Sequence, residues 1–256
     1  MKGSTALVTG AAGGIGEAVV RALGERGAAV AAVDKDRRRL DEVAGRLAAD
    51  GLRVRAFPAD VTTGAAAERL TAEVEEALGP VGHLVNGAGV LRLGRATDLT
   101  EEDWAQTLAV NATGVFLMSR AVVGRMIPRR RGAVVTIASN AAGTARTEMA
   151  AYAASKAAAS MFTKCLGLEV ARYGIRCNVV APGSTETPML TSMWRDENGP
   201  AATLEGSPGA YRVGIPLGKL ARPSDVADAV AFLLSDRASH ITMHDLTVDG
   251  GATLGV

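Results

Sequence analysis

The sequence predicts an α/β protein, a single doubly wound domain over 1–256 in which a parallel sheet of about seven strands carries helices on both faces. Three observations predict it. Short apolar, β-branched runs alternate with longer Ala-rich stretches of helical period. The runs are apolar at successive positions, as strands covered on both sides require. A glycine-rich turn stands directly after the first run and opens a helix.

In chain order, Ala6-Leu7-Val8 is the first strand and 14–26 its helix; Ala29-Val30-Ala31-Ala32-Val33 is followed by 36–49, and Val54-Arg55-Ala56-Phe57 by 64–78. His83-Leu84-Val85 then leads into a helical tract over 101–130, Ala133-Val134-Val135-Thr136-Ile137 into a tract over 150–172, and Ile175 to Val180 forms the next strand. A last helix over 223–234 leads to Leu246-Thr247-Val248. The exception is 184–212, rich in Gly, Pro, Ser and Thr, with Met193 and Trp194 embedded. A long irregular segment between a strand and the final helix lies where strand carboxyl ends open onto a ligand crevice, which predicts a substrate lid.

Composition narrows the function. With 48% hydrophobic residues the chain can bury a sizeable core, and the unbroken alternation favours one domain over two. The net charge of +1, with both signs interspersed, excludes a basic stripe for nucleic acid and a polybasic membrane contact. The apolar run at the N-terminus is too short for a signal peptide and no later run reaches membrane-spanning length, so the expected location is the cytoplasm. Cys165 and Cys177 have no Cys-x-x-Cys spacing and read as packed thiols. Of the histidines, His83 stands alone, and His240 and His244 lack a neighbouring Glu or Cys, so no metal is expected.

Thr9-Gly10-Ala11-Ala12-Gly13-Gly14-Ile15-Gly16 follows the first strand. Glycines there permit a tight turn and close backbone approach to a pyrophosphate, while free N–H groups at the helix start attract phosphate. Gly10, Gly14, Ile15 and Gly16 are therefore expected to hold a dinucleotide in a Rossmann-type site. Asp34 closes the second strand, where a carboxylate accepts from both ribose hydroxyls and repels a 2′-phosphate, so NAD is expected rather than NADP. Lys35 and the Arg37-Arg38-Arg39 run follow, and an arginine there is the alternative holder of such a phosphate, although the run falls on a helix face. Asp60 and Val61 after the third strand, and Asn86, Ala88 and Gly89 after the fourth, reach the same edge. Asp60 either accepts from the adenine amino group or caps the next helix.

Tyr152-Ala-Ala-Ser-Lys156 places a phenol and an ammonium on one helix face. A phenol with a reference pKa of about 10 acts as a base near neutrality only beside a positive charge. Ser139 follows an apolar strand, where its hydroxyl reaches a substrate oxygen, and Asn111 interrupts a helical tract in which an amide is a poor choice.

With these residues in place the chain resembles the short-chain dehydrogenase/reductase family from end to end: Thr9-Gly-x-x-x-Gly-x-Gly16, Asn86-x-Ala-Gly89, Asn111, Ser139, Tyr152-x-x-x-Lys156 and Pro182-Gly183 occur in its order and approximate spacing. The resemblance implies Tyr152 as general base, Lys156 on the nicotinamide ribose and lowering the tyrosine pKa, Ser139 orienting the substrate, and Asn111 holding a water of the proton relay. It also implies that Pro182, Gly183, Thr185 and Thr187 line the nicotinamide end, and that the chain assembles as a homotetramer. Gly87 departs from the pattern, since many members carry a second Asn there.

The segments Asn178 to Thr187, Asp196 to Gly199 and His240 to Val256 are similar to family members that oxidise a carboxylated ring dihydrodiol to a catechol, a siderophore precursor. Such a substrate calls for a cation: Arg146 first, then Arg92, each also readable as a surface residue paired with Glu148 or Asp98. Met193, Trp194, Met243 and His244 line the ring or pack the core. A sibling acting on a dihydro-3-hydroxyanthranilate, or a NAD-binding regulatory protein, uses the same motifs.

Overall fold

The computed structural model describes residues 1–194 and 196–255; Arg195, within the expected lid, and Val256, at the end of the C-terminal segment, lie outside them. Seven parallel strands form the main sheet: β1 (Thr5–Thr9), β2 (Ala29–Asp34), β3 (Val54–Pro58), β4 (Val81–Asn86), β5 (Gly132–Ile137), β6 (Ile175–Pro182) and β9 (Asp245–Val248). Their order is β3-β2-β1-β4-β5-β6-β9. β1 pairs in parallel with both β2 and β4, so the chain reverses its winding there and the carboxyl ends diverge into a crevice.

The central strands β1 and β2 are apolar at successive positions because alternate residues feed two different cores. On β1 and β2, Ala6, Val8, Val30 and Ala32 face one core with Val19 and Leu23 of α1 (Gly14–Glu25), Leu40 of α2 (Arg37–Ala49) and Val230 of α9 (Pro223–Leu234). Leu7, Ala31 and Val33 face the other, with Val74 of α3 (Gly64–Leu78), Met118 of α5 (Gly114–Arg129) and Val170 of α6 (Ala150–Val170). The period of two along a strand is what divides them.

α4 (Glu101–Leu108) runs into α5 through a π-helical turn over Ala109–Thr113. By length and composition this helix could cross a membrane, but Met118, Val122 and Met126 are buried in the interior of the fold. The π turn is centred on Asn111, the residue that looked out of place in a helix.

The expectation of an irregular 184–212 segment needs correction. It contains α7 (Pro188–Thr191), α8 (Gly199–Glu205) and a hairpin of β7 (Gly206–Ser207) with β8 (Arg212–Val213). Both helices begin beside a proline, and the hairpin bends at Gly206 with φ of 87°; elements this short leave no periodicity to read.

Candidate active site

One cleft of about 1280 Å³ runs along the carboxyl edge of the sheet, from the β1 turn to the 184–212 segment. Its first wall is the glycine turn. Gly10 has φ of 71°, and a Cβ on it would lie 2.5 Å from the Gly87 carbonyl oxygen; a Cβ on Gly16 would collide with the Gly10 carbonyl. Only glycine lets these backbones meet. Gly13 leaves the α1 N-terminus without a side-chain cap, so its first-turn N–H groups face the cleft, lined there by Gly13, Gly14, Ile15 and Gly16. This cradle suits a pyrophosphate.

Asp34 lines the cleft at the end of β2, where its carboxylate accepts from Ala12 N at 3.2 Å and Asp36 N at 3.1 Å. The arginines 37–39 are exposed on α2, and none of them lines the cleft. Asp60 accepts from the Thr62 backbone at 2.9 Å and the Thr62 hydroxyl at 2.7 Å, bonds that hold its carboxyl below the usual range. Thr63 occupies the N-cap position of α3, so Asp60 is free of the capping role. Val61, Ala88 and Gly89 also line the cleft.

Asn86 does not. Its carboxamide is buried beneath the edge, donating to Ser119 Oγ at 3.0 Å and Thr136 Oγ1 at 3.3 Å. What fixes the strand end is Thr9, whose hydroxyl accepts from Gly87 N and Ala88 N at 3.0 and 3.2 Å. Thr9 was visible only as the first letter of the glycine motif.

At the far end α6 presents Tyr152 and Lys156 to the cleft. The Lys156 side chain is buried, its Nζ donates to the Ile137 carbonyl at 2.9 Å, and it stands 5.8 Å from the centre of the Tyr152 ring. Burial lowers Lys156 to about 8 and pushes the Tyr152 phenol up, while the Ser139 hydroxyl pulls the phenol back. Without cofactor, burial outweighs the Ser139 hydroxyl at the phenol; an oxidised nicotinamide, when bound, would bring a further positive charge to this end of the cleft.

Asn111 is fully buried, its Oδ1 accepting from Val90 N at 2.8 Å and its amide donating to Val90 O and Ser155 Oγ, both at 2.9 Å. Both amide hydrogens are spent on protein, so the Asn111 amide has no donor left for a relay water. Beyond Pro182 and Gly183, Thr185 is buried, and Thr187 caps α7 by accepting from Leu190 N at 3.3 Å. The Thr187 methyl lies over Gly14, which brings the two ends of the cleft together.

Among the cations, Arg146 lines the cleft half-buried, whereas Arg92 does not line it: it is exposed, paired with Asp103 at 3.5 Å and Gln106 at 2.9 Å. Met193 and Trp194 line the cleft; Met243 and His244 do not. Met243 packs on Gly167 with φ of 60°, and His244 N donates to Asn178 Oδ1 at 3.0 Å, so both serve the β6–β9 edge. Arg212 also lines the cleft; it stands at the end of the 184–212 segment expected to be a substrate lid and was not among the residues expected to bind substrate.

A doubly wound sheet with a glycine cradle at its switch point and a Ser-Tyr-Lys set at the other end of one cleft describes a nucleotide-dependent dehydrogenase. A family model described as short chain dehydrogenase matches residues 4–198, and the chain belongs to that family, whose dehydrogenases work with a nicotinamide cofactor. Over 256 residues it is 57% identical to a 2,3-dihydro-2,3-dihydroxybenzoate dehydrogenase of Bacillus subtilis (strain 168), covering 100% of this chain and 98% of that one. It is 43% identical over 253 residues to the enzyme of the same name from Escherichia coli (strain K12), with 99% and 98% covered. The crystal structure of gox2181 superposes with a TM-score of 0.90 at 32% identity, covering 99% of this chain and 97% of that one.

Proposed function

We propose that this chain oxidises 2,3-dihydro-2,3-dihydroxybenzoate to 2,3-dihydroxybenzoate, a catechol siderophore precursor, with NAD as cofactor. The carrying observation is a cleft that joins a complete Ser139-Tyr152-Lys156 set to an arginine, Arg146, that forms no ion pair among the described residues. The glycine cradle would hold the pyrophosphate, Asp34 the adenosine ribose and Lys156 the nicotinamide ribose, with Thr185 and Thr187 beside the nicotinamide. When bound, the oxidised nicotinamide accepts the hydride from the ring carbon.

The remaining chemistry belongs to the chain. Ser139 holds the ring hydroxyl against the Tyr152 phenol, and the phenolate takes its proton as the C–H bond gives up its electron pair. The ketone then loses a ring proton and enolises to the catechol, so aromatisation drives the reaction forward. Lys156, fixed by the Ile137 carbonyl, keeps positive charge near the phenolate. Phe116, exposed on α5 and stacked edge-on with Phe162 of α6, together with exposed Met161 and Leu168 of α6, supports assembly into a homotetramer through these helices. Two free thiols suit a reducing cytoplasm.

The test is absorbance of NADH forming with the dihydrodiol acid and with its dihydro-3-hydroxyanthranilate analogue, the aromatic product being identified. Turnover confined to the analogue would replace the substrate. Tyr152→Phe should abolish turnover and leave NAD binding intact; surviving turnover would overturn the role of Tyr152.

A further inference from the structure

We propose that Arg212, on the β8 arm of the 184–212 hairpin, is the second jaw of a carboxylate clamp whose first jaw is Arg146, and that the pair sets specificity for an acidic ring substrate. This rests on the dihydrodiol-acid reading above and adds a residue to it.

The two side chains come from separate parts of the chain. Arg146 precedes α6 in the loop that follows Ser139, and Arg212 is carried by the short hairpin that also lines the cleft. Both are half-buried, and both line the cleft that holds Ser139 and Tyr152. Neither takes part in an ion pair among the described residues. Arg212 donates to Ser184 Oγ at 2.9 Å, a neutral partner that aims the guanidinium and leaves its other donors available.

Glu148 and Asp196 also line the cleft. Asp249 is a carboxylate within electrostatic reach of Arg146, and it is already engaged. It accepts from Thr253 Oγ1 at 2.7 Å, Gly251 N at 2.9 Å and Asn140 Nδ2 at 3.3 Å, and it touches Arg146 only through its field. Burial disfavours charge on both arginines, and the Arg146 charge disfavours that on Arg212 further, so the two lie within electrostatic reach of each other. Two partly desolvated cations facing one cleft are mutually repulsive until an anion sits between them. A planar carboxylate matches the donor fork of each guanidinium. Arg95, also on the cleft wall, is exposed and contributes at the rim.

Binding separates this clamp from the chemistry. With NADH present, titration calorimetry measures 2,3-dihydroxybenzoate against catechol, which lacks the carboxylate. The wild type should prefer the acid by at least about tenfold, and Arg212→Met should lose at least about tenfold in affinity for the acid with catechol unchanged. Arg212→Lys, which keeps the charge, should recover part of the loss and guards against misfolding as the cause. Equal affinity of the wild type for acid and catechol would overturn the clamp, as would an Arg212→Met variant with undiminished preference. If the clamp discriminates but the dihydrodiol acid is not oxidised, the substrate reading fails and the clamp stands.

Discussion

Lys156 Nζ is held by the Ile137 carbonyl at 2.9 Å and stands 5.8 Å from the centre of the Tyr152 ring. The ammonium is thus buried near the base without bonding to it, and β5 decides its position. Its pKa is lowered to about 8 by that burial. The fold therefore bears the cost of a charge that it uses for chemistry.

The first prediction follows from that cost. Lys156 has its ordinary value of 10.5 when unfolded and about 8 when folded, so below about 8 the folded protein carries the full penalty, on the order of 3 kcal/mol. Between 8 and 10.5 the unfolded chain binds more protons, and the penalty disappears as pH rises. Lys156→Met loses the bond to Ile137 but removes the buried charge. Its stability relative to wild type should be greatest near neutrality and fall as pH rises through that window, while turnover drops by at least about a hundredfold. Urea unfolding across pH checks it; a stability gap independent of pH would show that Lys156 is not buried charged.

Asn111→Ala should destabilise the fold by about 2–4 kcal/mol, because it strips both backbone groups of Val90 and the Ser155 hydroxyl of a buried partner. Denaturant midpoints measure the loss. If Asn111 acted only by holding a water, turnover would fall with no change in midpoint.

Lys156, Asn111 and Tyr152 show what is readable from sequence. Asn111 was legible because an amide inside an apolar helix breaks a local rule, whereas Tyr152 and Lys156, an ordinary pair on a helix face, became legible only beside the glycine turn, Ser139 and Asn111. The sheet was legible because double-sided burial writes apolar runs into β1, β2 and β5. Arg212 and the helices α7 and α8 were not, since elements of two to seven residues carry no period and their positions depend on tertiary contacts such as Arg212 with Ser184. Asn86 was assigned to the cofactor by motif, whereas its side chain turns into the interior because the pleat at the end of β4 points it there.

His83, at the amino-terminal half of β4, is pushed down to about 4, mainly by burial, and its Nδ1 has no partner among the described residues. A histidine with a depressed folded pKa gives stability that is complete above 6.5 and is lost as pH falls toward 4. His83→Leu should therefore flatten the decline in unfolding midpoint between about pH 7.5 and about pH 5 without touching turnover. An unaltered decline would assign the acid sensitivity to other groups.

The last prediction concerns cofactor choice. The Asp34 carboxylate is oriented by Ala12 N and Asp36 N, one donor on each oxygen, so its charge is fixed at the wall where an adenosine ribose would lie. The nearby arginines lie exposed on α2 away from the cleft wall, and Arg38 pairs with Glu42 at 3.5 Å, whereas Lys35 lines the cleft beside Asp34. Asp34→Asn keeps the size and one acceptor but removes the charge that repels a 2′-phosphate. The kcat/KM for NAD should fall by about tenfold or more, as expected for losing a charged hydrogen bond, while that for NADP rises or holds, shifting the ratio by at least about tenfold. Parallel kinetics with the two cofactors give that ratio directly. If both fall equally, Asp34 acts only by shaping the turn through Ala12, and discrimination lies elsewhere on the wall.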